Sequence, residues 1–316
     1  MAAQREMASN RETYGRTLLS MAEEYPDIVV LGGDLNVSVF THLWRDKYPD
    51  RFYDFGPSEQ NMIAVGAGLA ASGQIPFVST FSVFGVGRPF DQLRVLVAQP
   101  HLNLKLVCTH AGILTGEDGM SAQAIEDLAL ACSLSGFRVV CPSDAVETAQ
   151  VVRAAAANDG PIYVRLARAL TPVIHGEDYK YTPDRSEVIR QGNDVSIIAT
   201  GVMVSVALDA AELLAQSGVQ ARVVNMHTLR PTDEDTILSA ARETGAVVAA
   251  VEHYVHGGLG SIIGQVVSQN HPVPIEMVAL QGYSESGKPE ELMAKNGLTP
   301  EGVRNAAEKA IKRKQG

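Results

Sequence analysis

Short runs of β-branched residues alternate with longer amphipathic stretches along the whole of this 316-residue chain. The intervals between the runs are long enough to hold the helical crossovers that parallel strands require. Nine runs of this kind are found, at residues 27–34, 76–80, 104–108, 137–141, 161–166, 194–200, 220–226, 246–251 and 274–280. The alternation predicts an α/β fold with doubly wound, mostly parallel sheets.

The stretches between the runs carry helix signals. Ser9 followed three residues later by Glu12 forms a capping-box pattern, which predicts a first helix that ends near Glu24. Further helices are predicted at residues 58–71, 121–134, 143–157, 203–216 and 300–313. The last helix ends in KRK, and these cations suit the C-terminal end of a helix dipole.

A change of composition separates two series of runs. Residues 171–187 contain Pro, Gly, Tyr and charged residues without a clear periodicity, which is typical of a linker. The chain length also suits two domains of about 150 residues each. We therefore predict a first domain over residues 1–176, a linker over 177–192 and a second domain over 193–316.

The composition argues against several classes of protein. The formal net charge is −10, so we expect neither a nucleic-acid-binding surface nor a surface for anionic lipid. Three scattered cysteines are too few for a disulfide framework or a zinc site, and they suit buried thiols in a reducing compartment. The sequence shows neither a secretory signal nor a membrane-spanning run, which predicts a cytoplasmic protein.

Four loops of the first half contain the residue types that bind ligands. In open parallel sheets, ligands bind at the carboxyl ends of the strands. Each of the four loops follows a predicted strand, so we expect them to meet at one edge of one sheet. The loops span residues 32–38, 79–90, 109–119 and 166–170.

Glu59 is the leading candidate for catalysis. An acid at the start of a helix is commonly exposed and favoured by the helix dipole. The helix that follows is unusually rich in apolar residues, Gly and Ala, which favours a buried position for Glu59 instead. A carboxyl group in an apolar site holds its proton more tightly than one in water, and this is useful for acid–base chemistry.

Other residues of the four loops have both a structural and a functional interpretation. Phe81 and Phe84 suit core packing, but their surroundings of Ser, Gly and Arg also suit a clamp for a flat ring. His110 begins a Gly-rich loop that is either a turn or a binding loop. Arg165 and Arg168 end a strand, where an arginine is either a surface charge or a phosphate ligand.

Two glycine motifs resemble nucleotide-binding patterns but do not meet their structural requirements. GAGLAA at residues 66–71 lies inside a predicted helix, which favours close helix packing. GGLGSIIG at 257–264 does follow a strand, but its spacing is wrong and no suitable acid follows it. Neither motif predicts a dinucleotide site.

Taken in order, six segments give the chain a family resemblance. Over essentially its whole length it resembles the pyrimidine-binding and C-terminal domains of transketolase. The sequence has no Gly-Asp-Gly motif of the kind that holds magnesium and diphosphate in such enzymes. It therefore resembles the smaller subunit of a split transketolase. The segments are LGGDLNVS, SEQNMIAVGAGLA, PFVSTFSVF, THAGILTGEDG, VVCPSDAVE and VEHYVHGGLGS.

The resemblance implies roles for individual residues. Glu59 matches the catalytic acid that hydrogen-bonds the pyrimidine ring nitrogen of thiamine diphosphate, and Asp34 matches an acid on the cofactor side of the subunit interface. Phe81 and Phe84 match aromatic residues around the pyrimidine. The matches to sugar-phosphate contacts are Arg11, Ser38, His110, Asp118 and Arg168, of which Asp118 matches an acid that reads a substrate hydroxyl.

The chain departs from the family at two of these positions. Gly87 stands where a third aromatic residue is usual, so the implied clamp is looser. Ala122 stands where many members have a histidine that contacts substrate hydroxyls, and this departure bears on the donor sugar. Gln123, or a group of the partner, is a candidate substitute.

The resemblance also implies a function, a cofactor and a partner. The expected activity is transfer of a two-carbon ketol unit between sugar phosphates, with thiamine diphosphate and with Mg²⁺ held by a second, diphosphate-binding subunit. The expected assembly is a heterotetramer with two copies of each subunit, and no metal ligand is expected in this chain. Two alternatives are the beta subunit of a 2-oxoacid dehydrogenase and a non-catalytic binding protein that keeps the fold.

Overall fold

The computed structural model describes residues 5–315, which form two α/β halves with one large sheet each and a small antiparallel sheet of two strands, Met7–Ala8 and Thr171–Pro172. The strands are β1 (Met7–Ala8), β2 (Ile28–Gly32), β3 (Phe52–Asp54), β4 (Ile75–Ser79), β5 (Lys105–Cys108), β6 (Arg138–Val140), β7 (Ile162–Arg165), β8 (Thr171–Pro172), β9 (Glu187–Arg190), β10 (Val195–Ala199), β11 (Ala221–Asn225), β12 (Thr228–Arg230), β13 (Val247–Tyr254) and β14 (Ile275–Leu280). This confirms the predicted α/β class.

Helices fill most of the intervals between these strands. They are α1 (Asn10–Ser20), α2 (His42–Lys47), α3 (Glu59–Ala71), α4 (Ser82–Gly87), α5 (Phe90–Gln92), which continues as π-helical turns over Leu93–Ala98, α6 (Asp127–Cys132), α7 (Ala145–Ala157), α8 (Met203–Gln216), α9 (Glu234–Thr244), α10 (Leu259–Asn270), α11 (Pro289–Lys295) and α12 (Pro300–Gln315). Short 3-10 helices span Pro49–Arg51 and Ile113–Asp118. Among the described residues, none of these helices has the length and apolar character needed to cross a membrane.

The first sheet has the strand order β12-β6-β7-β5-β4-β2-β3. Six strands are parallel, and β12, which comes from the second half of the chain, pairs antiparallel with β6. Strands β7, β5, β4 and β2 are neighbours in this order. The four loops that follow them are those in which the sequence predicts a ligand site, so the prediction of one shared edge is confirmed.

The second sheet has the order β14-β13-β10-β11-β9, with only β9 antiparallel. Strand β9 falls within residues 177–192, the segment assigned to a linker from its composition. Its run of four residues between charged segments is too short to give a clear sequence signal. The second sheet therefore takes an edge strand from this connecting segment.

Apolar side chains form one continuous core through both halves. A single cluster of buried residues runs from Val29 and Leu31 of the first sheet to Val224 and Ala249 of the second. On the other face of the first sheet, buried Tyr14 of α1 lies 2.6 Å, oxygen to oxygen, from the Ser79 hydroxyl. Since so much apolar surface is shared, each half stabilises the other.

Two helices differ from their predicted bounds. The Ser9 hydroxyl accepts a hydrogen bond of 3.2 Å from the Glu12 amide and so caps α1, which ends at Ser20 rather than near Glu24. Helix α6 begins only at Asp127, not at residue 121 as predicted. Residues 120–126 form a turn and a bend around an isolated bridge between Ala124 and Ala111, and the Ala124 carbonyl accepts a hydrogen bond of 2.8 Å from the Gly112 amide.

Helix α3 packs on the sheet through its small residues. A Cβ added at Gly66 would lie 3.1 Å from a methyl carbon of Leu104, which leaves little room for a larger side chain. The interpretation of residues 66–71 as a packing motif therefore holds at Gly66. At Gly68 no atom lies within 4 Å of such a Cβ, so this position faces open space.

Candidate active site

Glu59 lies in the first turn of α3 with only 3% of its surface exposed. The predicted burial is confirmed, but the expectation of an apolar environment is wrong. The Nη1 atom of Arg88 lies 3.0 Å from each of the two carboxylate oxygens. Arg88 follows α4 and half of its side chain is exposed, so the buried acid is paired with a cation at the protein surface.

Aromatic rings connect this ion pair to the centre of the sheet edge. The Arg88 guanidinium carbon lies 4.1 Å from the centroid of the Phe84 ring, within cation–π distance. Phe84 is in turn stacked on Phe81 with 5.8 Å between ring centroids, and Phe81 is stacked on His110 at 3.5 Å. The catalytic candidate, both aromatic candidates and one sugar-phosphate candidate therefore form one contiguous row.

His110 is held rigidly within this row. Its backbone has φ of +58°, its Nδ1 atom lies 2.7 Å from the Thr109 hydroxyl, and its carbonyl accepts a hydrogen bond of 2.7 Å from the Thr115 hydroxyl. Burial, together with the cations Arg11 and Arg168, lowers the pKa of His110 to about 3. At neutral pH the ring is uncharged, so it offers one donor and one acceptor nitrogen.

The remaining sugar-phosphate candidates surround His110. Arg11 donates a hydrogen bond of 2.8 Å to the Ser38 carbonyl, and Arg168 approaches Asp118 with 3.9 Å between nitrogen and oxygen. Burial and the nearby charge of Arg168 lower the pKa of Arg11. Two arginines this close repel each other, and a bound anion would relieve that repulsion.

Asp34 has no part in the aromatic row. It follows β2 with φ of +66°, its side chain is exposed, and its amide donates a hydrogen bond of 3.1 Å to an oxygen of Asp54. The position is open to solvent in this chain and lies on a loop at the same edge of the sheet. This placement suits contact with a group from outside the chain.

The two positions that depart from the family differ in their surroundings. No atom lies within 4 Å of a Cβ added at Gly87, so the missing aromatic leaves open space. Ala122 is buried, and Gln123 beside it uses its amide nitrogen on the carbonyls of Gly116 and Glu285, at 3.3 and 3.0 Å. The amide oxygen of Gln123 is buried and has no hydrogen-bond partner among the described residues, so the suggestion that Gln123 substitutes for the missing histidine stays a prediction.

Arg165 is not a phosphate ligand. It is 4% exposed and its Nε atom forms an ion pair of 2.7 Å with Asp127, which also accepts a hydrogen bond of 2.7 Å from the Tyr163 hydroxyl. A second nitrogen donates 2.9 Å to the carbonyl of Glu252 on β13. Of the two arginines that end β7, only Arg168 reaches the candidate site.

Sequence reasoning missed the residues that hold the site from outside its four loops. Arg88 gives no pattern that would pair it with Glu59, which is 29 positions earlier. Glu252 is a buried acid at the end of an apolar strand, and that context was a usable signal. Its position beneath the loop of His110 depends on how the two halves pack and was not predictable from periodicity.

The side chains available around Glu59 suit a flat, polar heteroaromatic ring. A cleft of about 530 Å³ is lined by Pro57, Ser58, Glu59, Gln60 and Arg88. The buried carboxylate supplies a hydrogen-bonding group, and the ring of Phe84 lies on the far side of Arg88, where it becomes a stacking surface if the guanidinium moves aside. Within residues 5–315, no group of three or more His, Cys, Asp or Glu side chains is arranged to hold a metal ion.

Comparison with known proteins agrees with this architecture. The family model for the transketolase pyrimidine-binding domain matches residues 6–173, and that for the transketolase C-terminal domain matches residues 184–303. A subunit of a 6-deoxy-6-sulfo-D-fructose transketolase from Clostridium sp. is 38% identical, and the alignment covers 96% of this chain and 95% of the relative. Transketolase-like protein 2 of Mus musculus is 37% identical over 93% of this chain but only 47% of its own length.

A solved structure shows the same arrangement of both halves. The inactive β4 tetramer of a split-gene transketolase superposes with a TM-score of 0.90 and 42% sequence identity, covering 97% of this chain and 99% of that chain. The two family models together account for most of the described residues. The chain therefore belongs to the transketolase family, with its pyrimidine-binding and C-terminal domains.

Proposed function

We propose that this chain is the smaller subunit of a split, thiamine-diphosphate-dependent transketolase that transfers a two-carbon ketol unit between sugar phosphates. The observation that carries the proposal is the contiguous row of Glu59, Arg88, Phe84, Phe81 and His110. A row of this kind places a buried acid at one end and a group of candidate phosphate-binding residues at the other. Ketol transfer needs an acid at the cofactor ring and phosphate-binding residues at the sugar.

The residues near Glu59 fit the aminopyrimidine part of thiamine diphosphate. When bound, this cofactor supplies the nucleophilic carbon and the electron sink that ketol transfer needs. Glu59 would hydrogen-bond the ring nitrogen, and Phe84 would contact the ring face. For this, one carboxylate oxygen must be released from Arg88, whose half-exposed guanidinium is free to turn toward solvent.

The diphosphate part of the cofactor is the least accounted for by this chain. The sequence lacks the Gly-Asp-Gly motif, and residues 5–315 offer no cluster of ligands for Mg²⁺. The chain matches only 47% of the length of the mouse relative, so about half of that protein lies outside the matched part. We propose that a partner subunit holds the diphosphate and Mg²⁺ in a heterotetramer with two copies of each chain, and that exposed Asp34 lies toward it.

The opposite end of the row suits a sugar phosphate. Arg11 and Arg168 would bind the phosphate, with Ser38 beside Arg11. Neutral His110 would hydrogen-bond a sugar hydroxyl, and exposed Asp118 would accept from another. A guanidinium pair prefers a dianionic phosphate to an uncharged group, so it selects phosphorylated or similarly anionic sugars.

The alternatives from the sequence make different predictions. A 2-oxoacid dehydrogenase beta subunit has no need for an arginine pair beside a neutral histidine, and the family match is to transketolase. A non-catalytic binding protein would keep the fold but show no turnover with any partner. The non-catalytic alternative is therefore an outcome of the reconstitution experiment, and the dehydrogenase alternative requires a 2-oxoacid and a lipoyl acceptor in the same mixture.

The test is reconstitution. The purified chain is mixed with a diphosphate-binding transketolase subunit, thiamine diphosphate and Mg²⁺, and ketol transfer from fructose 6-phosphate and from 6-deoxy-6-sulfofructose to an aldose phosphate is measured. We expect turnover that Glu59→Ala lowers by at least about 100-fold, while exposed Glu23→Gln, a matched control, leaves it unchanged. Full activity of Glu59→Ala would reject the mechanism.

Two further readouts separate the possibilities. The donor that gives the higher kcat/KM identifies the anionic group that Arg11 and Arg168 accept. Absence of turnover in the wild-type mixture, with tight binding between the two chains, would favour a non-catalytic role. Light scattering of the mixture measures the proposed two-plus-two stoichiometry independently of activity.

A further inference from the structure

The loop that carries His110 and Asp118 is built against the C-terminal half of the chain. Glu252, at the end of β13 in the second sheet, is 1% exposed and lies directly beneath this loop. Its Oε1 atom accepts a hydrogen bond of 2.6 Å from the Leu114 amide. The carboxyl group of one domain thus holds the backbone of a candidate substrate loop in the other.

The loop has a shape that only this contact explains. Gly112 has φ of +69°, and a Cβ added there would lie 2.2 Å from the carboxyl carbon of Glu252. Both the backbone conformation and the close approach therefore require glycine at this position. Gly112 lies two residues after His110 in the same loop, so the contact with the carboxyl group is close to the histidine along the chain.

The other end of the same loop is held by a second segment of the C-terminal half. The Ser286 hydroxyl donates a hydrogen bond of 2.6 Å to the carbonyl of Glu117, the residue before Asp118. Gln123 bridges the Gly116 and Glu285 carbonyls, and Pro289 packs at Gly116. The loop is therefore fixed at two points, near His110 and near Asp118.

Glu252 is also tied to the first sheet. Arg165, which ends β7, donates a hydrogen bond of 2.9 Å to the Glu252 carbonyl and pairs with Asp127. The second carboxyl oxygen of Glu252 is buried and has no hydrogen-bond partner among the described residues, and a guanidinium nitrogen of Arg165 lies 4.0 Å from it. The carboxyl group is therefore held between the Leu114 amide and the Arg165 cation.

We propose that Glu252 is a positioning residue through which the C-terminal domain sets the placement of His110 and Asp118 toward the sugar phosphate. Its kinetic consequence rests on the proposed function, whereas its effect on the loop does not. The C-terminal domain thereby has a role at the active site although it contributes no residue to the cofactor cleft. Ser286 supports the same loop from the other end.

The experiment compares Glu252→Ala, Glu252→Gln and Ser286→Ala with a matched control, Glu276→Gln. Glu276 lies on the neighbouring strand β14 and binds Lys309 and Arg313 away from the loop. Amide hydrogen exchange of residues 112–118 is measured on each free chain, and KM and kcat are measured on the complex with the partner subunit, cofactor and Mg²⁺.

We expect Glu252→Ala to speed exchange of the Leu114 amide by about tenfold or more and to raise KM for the donor by about tenfold, with kcat changed less than about threefold. Glu252→Gln keeps an oxygen acceptor for that amide and should stay within about threefold of wild type in both measurements. Ser286→Ala should raise KM by about threefold, and Glu276→Gln should change neither quantity.

Several results would overturn the inference. Unchanged exchange and unchanged KM in Glu252→Ala would show that the loop is held without this carboxyl group. A fall in kcat at constant KM would place the effect elsewhere than in substrate contacts. If Glu252→Ala does not fold, a Ser286→Ala variant with wild-type exchange and KM rejects the proposal. An inactive wild-type complex rejects the proposed function instead, and the exchange measurement still decides the positioning.

Discussion

Replacing Glu252 with glutamine should change how the stability of the protein depends on pH. Burial raises the pKa of Glu252 from 4.5 to about 7, with Arg165 opposing the shift only in part. The folded chain therefore holds this proton more tightly than the unfolded chain. The resulting stabilisation is present in full below about pH 4.5 and is lost as the pH rises through about 7.

The size of the effect follows from the shift. The difference between 4.5 and about 7 corresponds to roughly 3 kcal/mol at about 1.4 kcal/mol per pH unit. Part of this stabilisation is already lost by about pH 5.5. Between about pH 5.5 and 8.5, the free energy of unfolding of the wild type should therefore fall by about 2 kcal/mol relative to that of Glu252→Gln. The variant has no ionisable group here, so it escapes this loss.

Guanidinium unfolding at four pH values between these limits measures the difference. The single tryptophan, Trp44, is buried and reports on the first half by fluorescence, while circular dichroism reports on the whole chain. Other titrating groups are common to both proteins and cancel in the comparison. A difference that stays constant within about 0.5 kcal/mol across this range would refute the reasoning, and exposed Glu23→Gln serves as the control.

Three further predictions concern the charged groups of the site. Arg88→Met should lower the free energy of unfolding by about 1–3 kcal/mol in thermal melts, because it leaves the buried Glu59 carboxylate without its cation; a loss under about 0.5 kcal/mol would contradict this. The His110 ring should not titrate between about pH 5 and 8 in NMR spectra, with His110→Gln used for assignment, because its pKa is about 3. Arg165→Met should destabilise by about 3–5 kcal/mol in guanidinium unfolding, since it leaves buried Asp127 without its cation, and a loss under about 1 kcal/mol would show that the pair is dispensable.

The sheet edge that carries the site was predictable because it depends on strand order and on little else. Apolar runs followed by polar loops are local signals, and parallel strands bring their carboxyl ends together whatever the details of packing. The burial of Glu59 also has a local cause, since the apolar face of α3 begins at its first turn. These features follow from periodicity and composition.

The partners of those residues were not predictable, because they depend on tertiary packing. Arg88 is an exposed cation at the end of a short helix, and only the fold brings it onto Phe84 and Glu59. Strand β12 has three residues and completes the sheet of the other half, a pairing that no local pattern encodes. Arg165 has the same sequence context as Arg168, yet one is buried in an ion pair and the other faces the site.

The two halves of the chain pack against each other beside the candidate site. The contacts between them therefore stabilise the fold and also hold the site residues in place. The loop of His110 buries Ile113 in the apolar core of the second half and is also held by hydrogen bonds to that half. The apolar contact anchors the loop, and the directional hydrogen bonds fix its backbone. In the proposed function a sugar phosphate is bound at both its phosphate and its hydroxyls, and fixing the loop near His110 and near Asp118 would set the distance between those contacts. On that proposal, the C-terminal domain influences which sugar is accepted without touching it.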